Sequence, residues 1–169
     1  NKYYQILNDA SETYQFYLKN TLEGKKALEY LQKRNMNDDI IRRFGIGLSS
    51  HNENIIVKTL LESNKYIPLD LQEIGLVGFN NNRYFDLFNG RIIFPLKDLR
   101  GNIVGFSGRI YDSQSNSKYI NSQENVIFKK SNILYNYSEA FNDIKLKGHV
   151  IIFEGFMDVI AAYRAGVNN

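Results

Sequence analysis

Apolar positions recur along this chain with two different periods, and the change from one to the other divides it. Over residues 8–18, Ala10, Tyr14, Tyr17 and Leu18 fall at three- and four-residue spacing, which is the period of one helical face. A second such stretch, residues 23–33, sets Ala27, Leu28, Tyr30 and Leu31 on one side. NMNDDIIRRF, residues 35–44, predicts a short capped helix. The Asn37 side chain can accept from an unpaired first-turn N–H, and Asp38 and Asp39 sit where the helix dipole favours negative charge. Further helices are expected over residues 54–63 and 69–75, the second ending at Gly75.

From residue 77 the texture changes. Residues 91–96 and 103–111 are β-rich runs joined by a turn that includes Gly101, which predicts a hairpin. Pro95 has no N–H for a ladder, so the first run should be an edge strand or end there. Residues 113–125 are polar enough for a loop, and residues 137–142 read as a short helix. GFSGR, residues 105–109, is the nearest approach to a phosphate cradle, but glycines inside a strand pattern more often mark a bulge or close packing.

The last segment, VIIFEGFMDVIAAYRAG, has another logic. Val150 to Phe153 reads as a strand buried on both faces of a parallel sheet, and Phe156 to Ala165 has helical spacing through Met157, Ile160, Ala161 and Arg164. Together they form the first half of a βαβ unit. Glu154 falls at the strand's C-terminal end, where open α/β sheets place their ligands, and Gly155 leaves room beside it. Asp158 lies in the first helical turn, so its carboxylate can point back toward Glu154 and share a hard divalent cation. The same E-G-x-x-D spacing also describes one acid ending a strand and another stabilising a helix N-terminus.

Composition narrows the picture. The 169 residues, 43% of them hydrophobic, suffice for one ordinary domain or one domain and the start of another. Asn1 opens the chain and the final strand and helix lack a second strand, so an excised piece of a longer protein is expected. With no cysteine there is no disulfide framework and no thiolate zinc site, and no apolar run approaches the roughly 20 residues that span a bilayer. His51 and His149 stand apart from each other, which argues against a ligand role for either. The net charge of +3 is concentrated: residues 83–130 hold eight Lys or Arg against four Asp or Glu, while the flanking stretches are close to balance. A basic middle suits a polyanion. Phe106, Tyr111, Tyr119 and Phe128 are interleaved with its cations and offer stacking surfaces for bases, although alternating strand residues such as Phe94 and Phe106 are more often core.

FEGFMDVIAAYRAG resembles the opening motif of the Toprim domain, a metal-dependent fold shared by bacterial primases, topoisomerases and some nucleases. RRFGIGLS (residues 42–49), GRIIFPLKDLRGNIVGFSGR (90–109) and SKYINSQENVIFKKSNILYN (117–136) precede it in an order and spacing that resemble bacterial DNA primases of the DnaG type. The resemblance implies an α+β fold: a mixed helical and β-hairpin primase core subdomain over residues 1–147, then the first strand and helix of a truncated α/β Toprim domain over 148–169. It implies a cytoplasmic nucleotidyltransferase that makes short RNA primers on single-stranded DNA from ribonucleoside triphosphates, partnered by a replicative helicase through regions outside this chain. This stretch alone would be inactive. Carried over by position, Glu154 is the expected catalytic acid, and Glu154 with Asp158 the ligands of Mg2+ or Mn2+. Arg109, Lys118 and Lys130 match basic residues that line the nucleotide and template groove, and Arg91 and Arg43 fall in matching motifs. Zinc belongs to a separate N-terminal module of that family. NSQEN, residues 121–125, replaces the family's N-S-P-E-T, and the paired lysines of FKKS leave open which of Lys129 and Lys130 meets nucleotide. Two other readings fit the residues: a different Toprim enzyme, nuclease or topoisomerase, or a non-catalytic single-stranded nucleic-acid-binding module.

Overall fold

The computed structural model describes residues 1–112 and 117–169. The predicted loop at 113–125 therefore lies in part outside the described residues. Helix α1 (Lys2–Asn20) and helix α2 (Leu22–Lys33) meet at Thr21, whose side chain caps α2 by accepting from the Gly24 N–H at 2.9 Å. Helix α3 (Asp38–Arg43) is capped as expected, with the Ile40 N–H donating to Asn37 Oδ1 at 3.0 Å. Helix α4 (Pro68–Glu73) follows a short helical stretch over residues 55–61, which is π-type across Val57–Leu61. Helix α5 (Tyr137–Lys147) runs longer than its pattern indicated, and helix α6 (Phe156–Arg164) falls where its spacing put it.

The expected hairpin is the centre of a four-stranded antiparallel sheet. Strands β4 (Arg91–Lys97) and β5 (Ile103–Ile110) pair along their length, β1 (Gly47–Ser49) flanks β4, and β6 (Tyr119–Asn121) flanks β5. A separate hairpin, β2 (Val77–Asn80) and β3 (Arg83–Asp86), turns through Asn81 and Asn82, both at positive φ. The edge-strand expectation for Pro95 needs correction, because β4 is interior. Pro95 is tolerated since β1 reaches only as far as Ile93, so no strand on that side needs its missing N–H.

Strand alternation sends successive side chains to opposite faces, and both faces are covered. Ile93 and Phe106 join Tyr14 of α1, the 55–61 stretch and Leu71 of α4 in one core. Ile92, Phe94 and Leu48 join α2, α3 and Ile160 of α6 in the other. Glycines permit the close approaches: a Cβ on Gly47 would stand 2.5 Å from Tyr14 Cβ, and one on Gly108 2.8 Å from the Phe88 ring. GFSGR is thus a packing feature, with Gly105 against Ser122. Phe94 and Phe106 are fully buried, so they are core and not stacking platforms. Among the described residues no helix is long and apolar enough to cross a membrane.

Val150–Phe153 differs from expectation. It forms no ladder and all four side chains are at least partly open to solvent, with Ile152 69% exposed. A buried strand needs paired neighbours on both sides, and here no strand pairs with the run among the described residues; the Ile151 N–H donates to the Asn169 carbonyl at 3.2 Å.

Asp86 links the small hairpin to the core. Only 2% exposed, it accepts from the Ile56 N–H at 2.9 Å and the Val57 N–H at 3.0 Å, capping the helical stretch. Burial raises its pKa to about 6, against the pull of these backbone bonds. An acid whose folded pKa lies above its unfolded value holds its proton preferentially when folded. Its contribution is therefore present at low pH and lost as pH rises through about 6. Urea unfolding should show the wild type gaining about 1 kcal/mol from this group between about pH 7.5 and about pH 5, a gain that Asp86→Asn lacks. Equal pH dependence in the two proteins would contradict the assignment.

Candidate functional site

Arg109 is the centre of the basic region. It lies on β5 directly opposite Tyr119 of β6, on the face of the sheet shared with α2 and α6. Its side chain is buried, the residue being 4% exposed. Its Nε donates to the Tyr30 hydroxyl at 2.8 Å, and a terminal nitrogen donates to the Tyr119 hydroxyl. The guanidinium carbon also lies 4.9 Å from the Tyr119 ring centre. Among the described residues no carboxylate forms an ion pair with it. A buried cation is costly to leave without a counter-ion, and here two tyrosine hydroxyls and the Tyr119 ring meet it.

Two further cations converge on the same tyrosines. The exposed Lys118 places Nζ 5.9 Å from the Tyr119 ring centre, and the Arg34 guanidinium lies 5.0 Å from that of Tyr30. Arg34 was not singled out in the sequence. Its only signal is the four-residue step from Tyr30 at the end of α2.

The other candidate arginines make internal contacts. Arg91 sits on the opposite sheet face, 7% exposed, and donates to the Gly108 carbonyl at 3.2 Å and the Ser117 carbonyl at 3.0 Å. It ties β4 to β5 and to the start of the Lys118 segment. Arg43 ends α3 half-buried, 5.1 Å from the Tyr163 ring centre and 5.6 Å from that of Phe44, so it braces α6. His51, for its part, has Nε2 2.7 Å from Asp112, a tie between the loop after β1 and the end of β5.

Helix α6 docks on this face through Ile160, Tyr163 and Phe156, and Phe156 lies next to the acidic turn. Phe156, the first residue of α6, packs 4.9 Å from Phe94, 5.2 Å from Tyr135 and 5.5 Å from Tyr119, ring centre to ring centre. Tyr119 thus touches Arg109, Lys118 and Phe156 together. Glu154 and Asp158 are both exposed, and a Cβ on Gly155 would stand 3.4 Å from Asp158 Oδ2, so the Asp158 carboxylate does fold back over the turn. Among the described residues no three His, Asp or Glu side chains form a metal-holding group. Glu154 and Lys130 line one cavity of about 290 Å³, whose wall includes Asn121, Phe128 and Val150–Phe153. Lys129 instead lines a different groove with Arg100 and Tyr4. Of the two adjacent lysines, Lys130 is the one on the acidic side.

Arg109, Lys118 and Arg34 thus gather around Tyr119 and Tyr30, with the acidic turn docked beside them through Phe156. Residues 13–141 match the family described as the DNA primase catalytic core, N-terminal domain, and the chain belongs to that family. It is similar to the DNA primase of Lactococcus lactis, with 42% identity over 168 residues, 98% of this chain and 26% of that protein. It thus spans about a quarter of the length of the curated relatives it matches. Its structure is similar to that of the RNA polymerase domain of Mycobacterium tuberculosis primase DnaG, with a TM-score of 0.91 and 27% identity over 99% of this chain and 54% of that one. It is also similar to a DnaG primase catalytic domain bound to ssDNA, with a TM-score of 0.85 and 32% identity over 98% of this chain and 51% of that one. The α+β class expected from the sequence is the class observed.

The role of Phe156 is directly measurable. Phe156→Ala should cost about 2 kcal/mol in urea unfolding, below the range for a fully buried Phe because the ring is only partly enclosed. Hydrogen exchange should quicken through α6 more than through β4 and β5. Unchanged exchange in α6 would show that other contacts dock the turn.

Proposed function

We propose that this chain is part of an RNA polymerase that makes primers on single-stranded DNA, and that it supplies the basic face and the leading acids of the active site. The observation that carries the reading is Arg109: a buried guanidinium with no carboxylate ion pair among the described residues, one tyrosine away from the acidic turn. Relatives described as DNA primases, and a similar structure described as bound to ssDNA, support the same reading. In this reading residues 1–147 form the N-terminal subdomain of the polymerising core and residues 148–169 the start of a Toprim domain. The whole enzyme works in the cytoplasm with ribonucleoside triphosphates and a replicative helicase, and these residues alone do not polymerise.

The chemistry assigned to the chain follows from its side chains. Arg109, Lys118 and Lys130 meet template or nucleotide phosphates, neutralising charge that would otherwise keep two polyanions apart. Arg43 and Arg91 keep the supporting elements in place. Glu154 and Asp158 offer hard oxygen donors, and a Mg2+ or Mn2+ ion is commonly held by one or two carboxylates with phosphate and water completing its shell. Such an ion, when bound, neutralises charge developing on the α-phosphate as a primer 3′ hydroxyl attacks. Glu154 is the carboxylate placed to orient that hydroxyl and accept its proton.

Titration of the chain into a fluorescein-labelled oligothymidylate, followed by anisotropy, tests the basic face. Weak binding is expected, with log K falling linearly against log salt. The Arg109→Ala, Lys118→Ala double variant should lower the slope by about 1.4, near 0.7 per phosphate contact on a single strand. Binding insensitive to salt, or a slope unchanged in the double variant, would refute the assignment.

A further inference from the structure

The geometry points to Tyr30 as a positioning residue for Arg109, fixing the direction in which its guanidinium meets a phosphate. This inference rests on the reading of Arg109 as a phosphate contact and adds a residue from a third element, α2.

A guanidinium is a planar fork with five N–H donors and no acceptor. A single anchoring bond leaves the fork free to swing about the arginine stem, whereas two bonds from different nitrogens fix its plane. Arg109 has both. Nε donates to the Tyr30 hydroxyl at 2.8 Å, and a terminal nitrogen donates to the Tyr119 hydroxyl from the opposite strand. Three of the five donors remain, held in a set orientation. Both acceptors are tyrosine hydroxyls and not carboxylates, so they steer the cation without supplying the counter-charge of an aspartate or glutamate.

Tyr30 is itself held. Its ring lies 6.4 Å from that of Tyr111 in an edge-on arrangement, and Arg34 covers it at 5.0 Å. Tyr111 in turn donates to Glu23 Oε1 at 3.3 Å, and Glu23 accepts the His51 N–H at 2.6 Å. The Tyr30 hydroxyl therefore has a fixed place relative to β5, as positioning requires. Removing it leaves the charge of Arg109 intact and loosens only its aim.

Oligothymidylate binding by wild type, Tyr30→Phe, Arg109→Ala and the double variant tests this. Tyr30→Phe keeps the ring and its packing and removes only the hydroxyl. About fivefold weaker binding is expected, the size of one ordinary net hydrogen bond, with the salt slope unchanged because no charge is lost. In the Arg109→Ala background the same change should have no effect, since the group it positions is gone. Tyr30→Phe binding as tightly as wild type while Arg109→Ala binds weakly would overturn the inference alone. So would a Tyr30→Phe loss that persists undiminished in the Arg109→Ala background. Arg109→Ala binding as wild type would instead overturn the phosphate-contact reading, and the inference with it.

Discussion

The register of β5 against β4 decides which side of the sheet carries the Arg109 guanidinium. Arg109 stands opposite Ile92, and Phe106 opposite Pro95. In this register Phe106 and Ile93 turn into the core under α1, while Arg109 turns toward α2 and α6. A slip of one residue would exchange the faces, burying a guanidinium against Tyr14 and turning Phe106 out. Gly108 and Gly105 help to hold the register, because each meets a side chain where a Cβ would collide. The hydrophobic requirement of one face thus fixes the polar geometry of the other.

The tyrosines translate that register into a site. Tyr119 is the cross-strand partner of Arg109, accepts its hydrogen bond, underlies Lys118 and packs on Phe156. An aromatic ring with a hydroxyl serves all four contacts: the π face attracts cations, the edge packs on another ring, and the oxygen accepts a hydrogen bond. Phe156 continues the chain of rings to Phe94 and Tyr135, so the turn bearing Glu154 is docked on packed aromatics. Burial pushes the Tyr135 phenol well above its usual pKa, so it stays neutral in this contact. Positioning by apolar packing suits an acidic turn, since it leaves both carboxylates open to solvent.

Local patterns were legible and non-local pairings were not. Helices α1 to α3, the Asn37 cap and the β4–β5 hairpin each rest on spacing or capping within one segment, and each appears. Strands β1 and β6 have only three residues, too few for a period to register, and exist because β4 and β5 offer edges to pair with. The β2–β3 hairpin did carry a signal, the paired asparagines at 81 and 82 that accept positive φ. Val150–Phe153 read as a buried strand because its residues are apolar, but burial depends on neighbours that the run itself does not encode. For the site, the residue types identified Arg91 and Arg109 alike, and only strand pairing shows that Arg91 ties backbone carbonyls while Arg109 meets tyrosine hydroxyls. Tyr30 and Arg34 escaped notice because they reach the site from another element, across a sequence gap that no local pattern spans.

In the proposed reading the acidic turn and the basic strands form one site. Paramagnetic broadening by Mn2+ in amide NMR spectra of the chain tests it most directly, since the ion should be drawn to the carboxylates of Glu154 and Asp158. Broadening at residues 154–158 should be accompanied by broadening at Tyr119, Asn121 and Lys130, and Glu154→Gln should diminish both together. Broadening confined to the turn, with the signals of β6 and Lys130 left sharp, would contradict it.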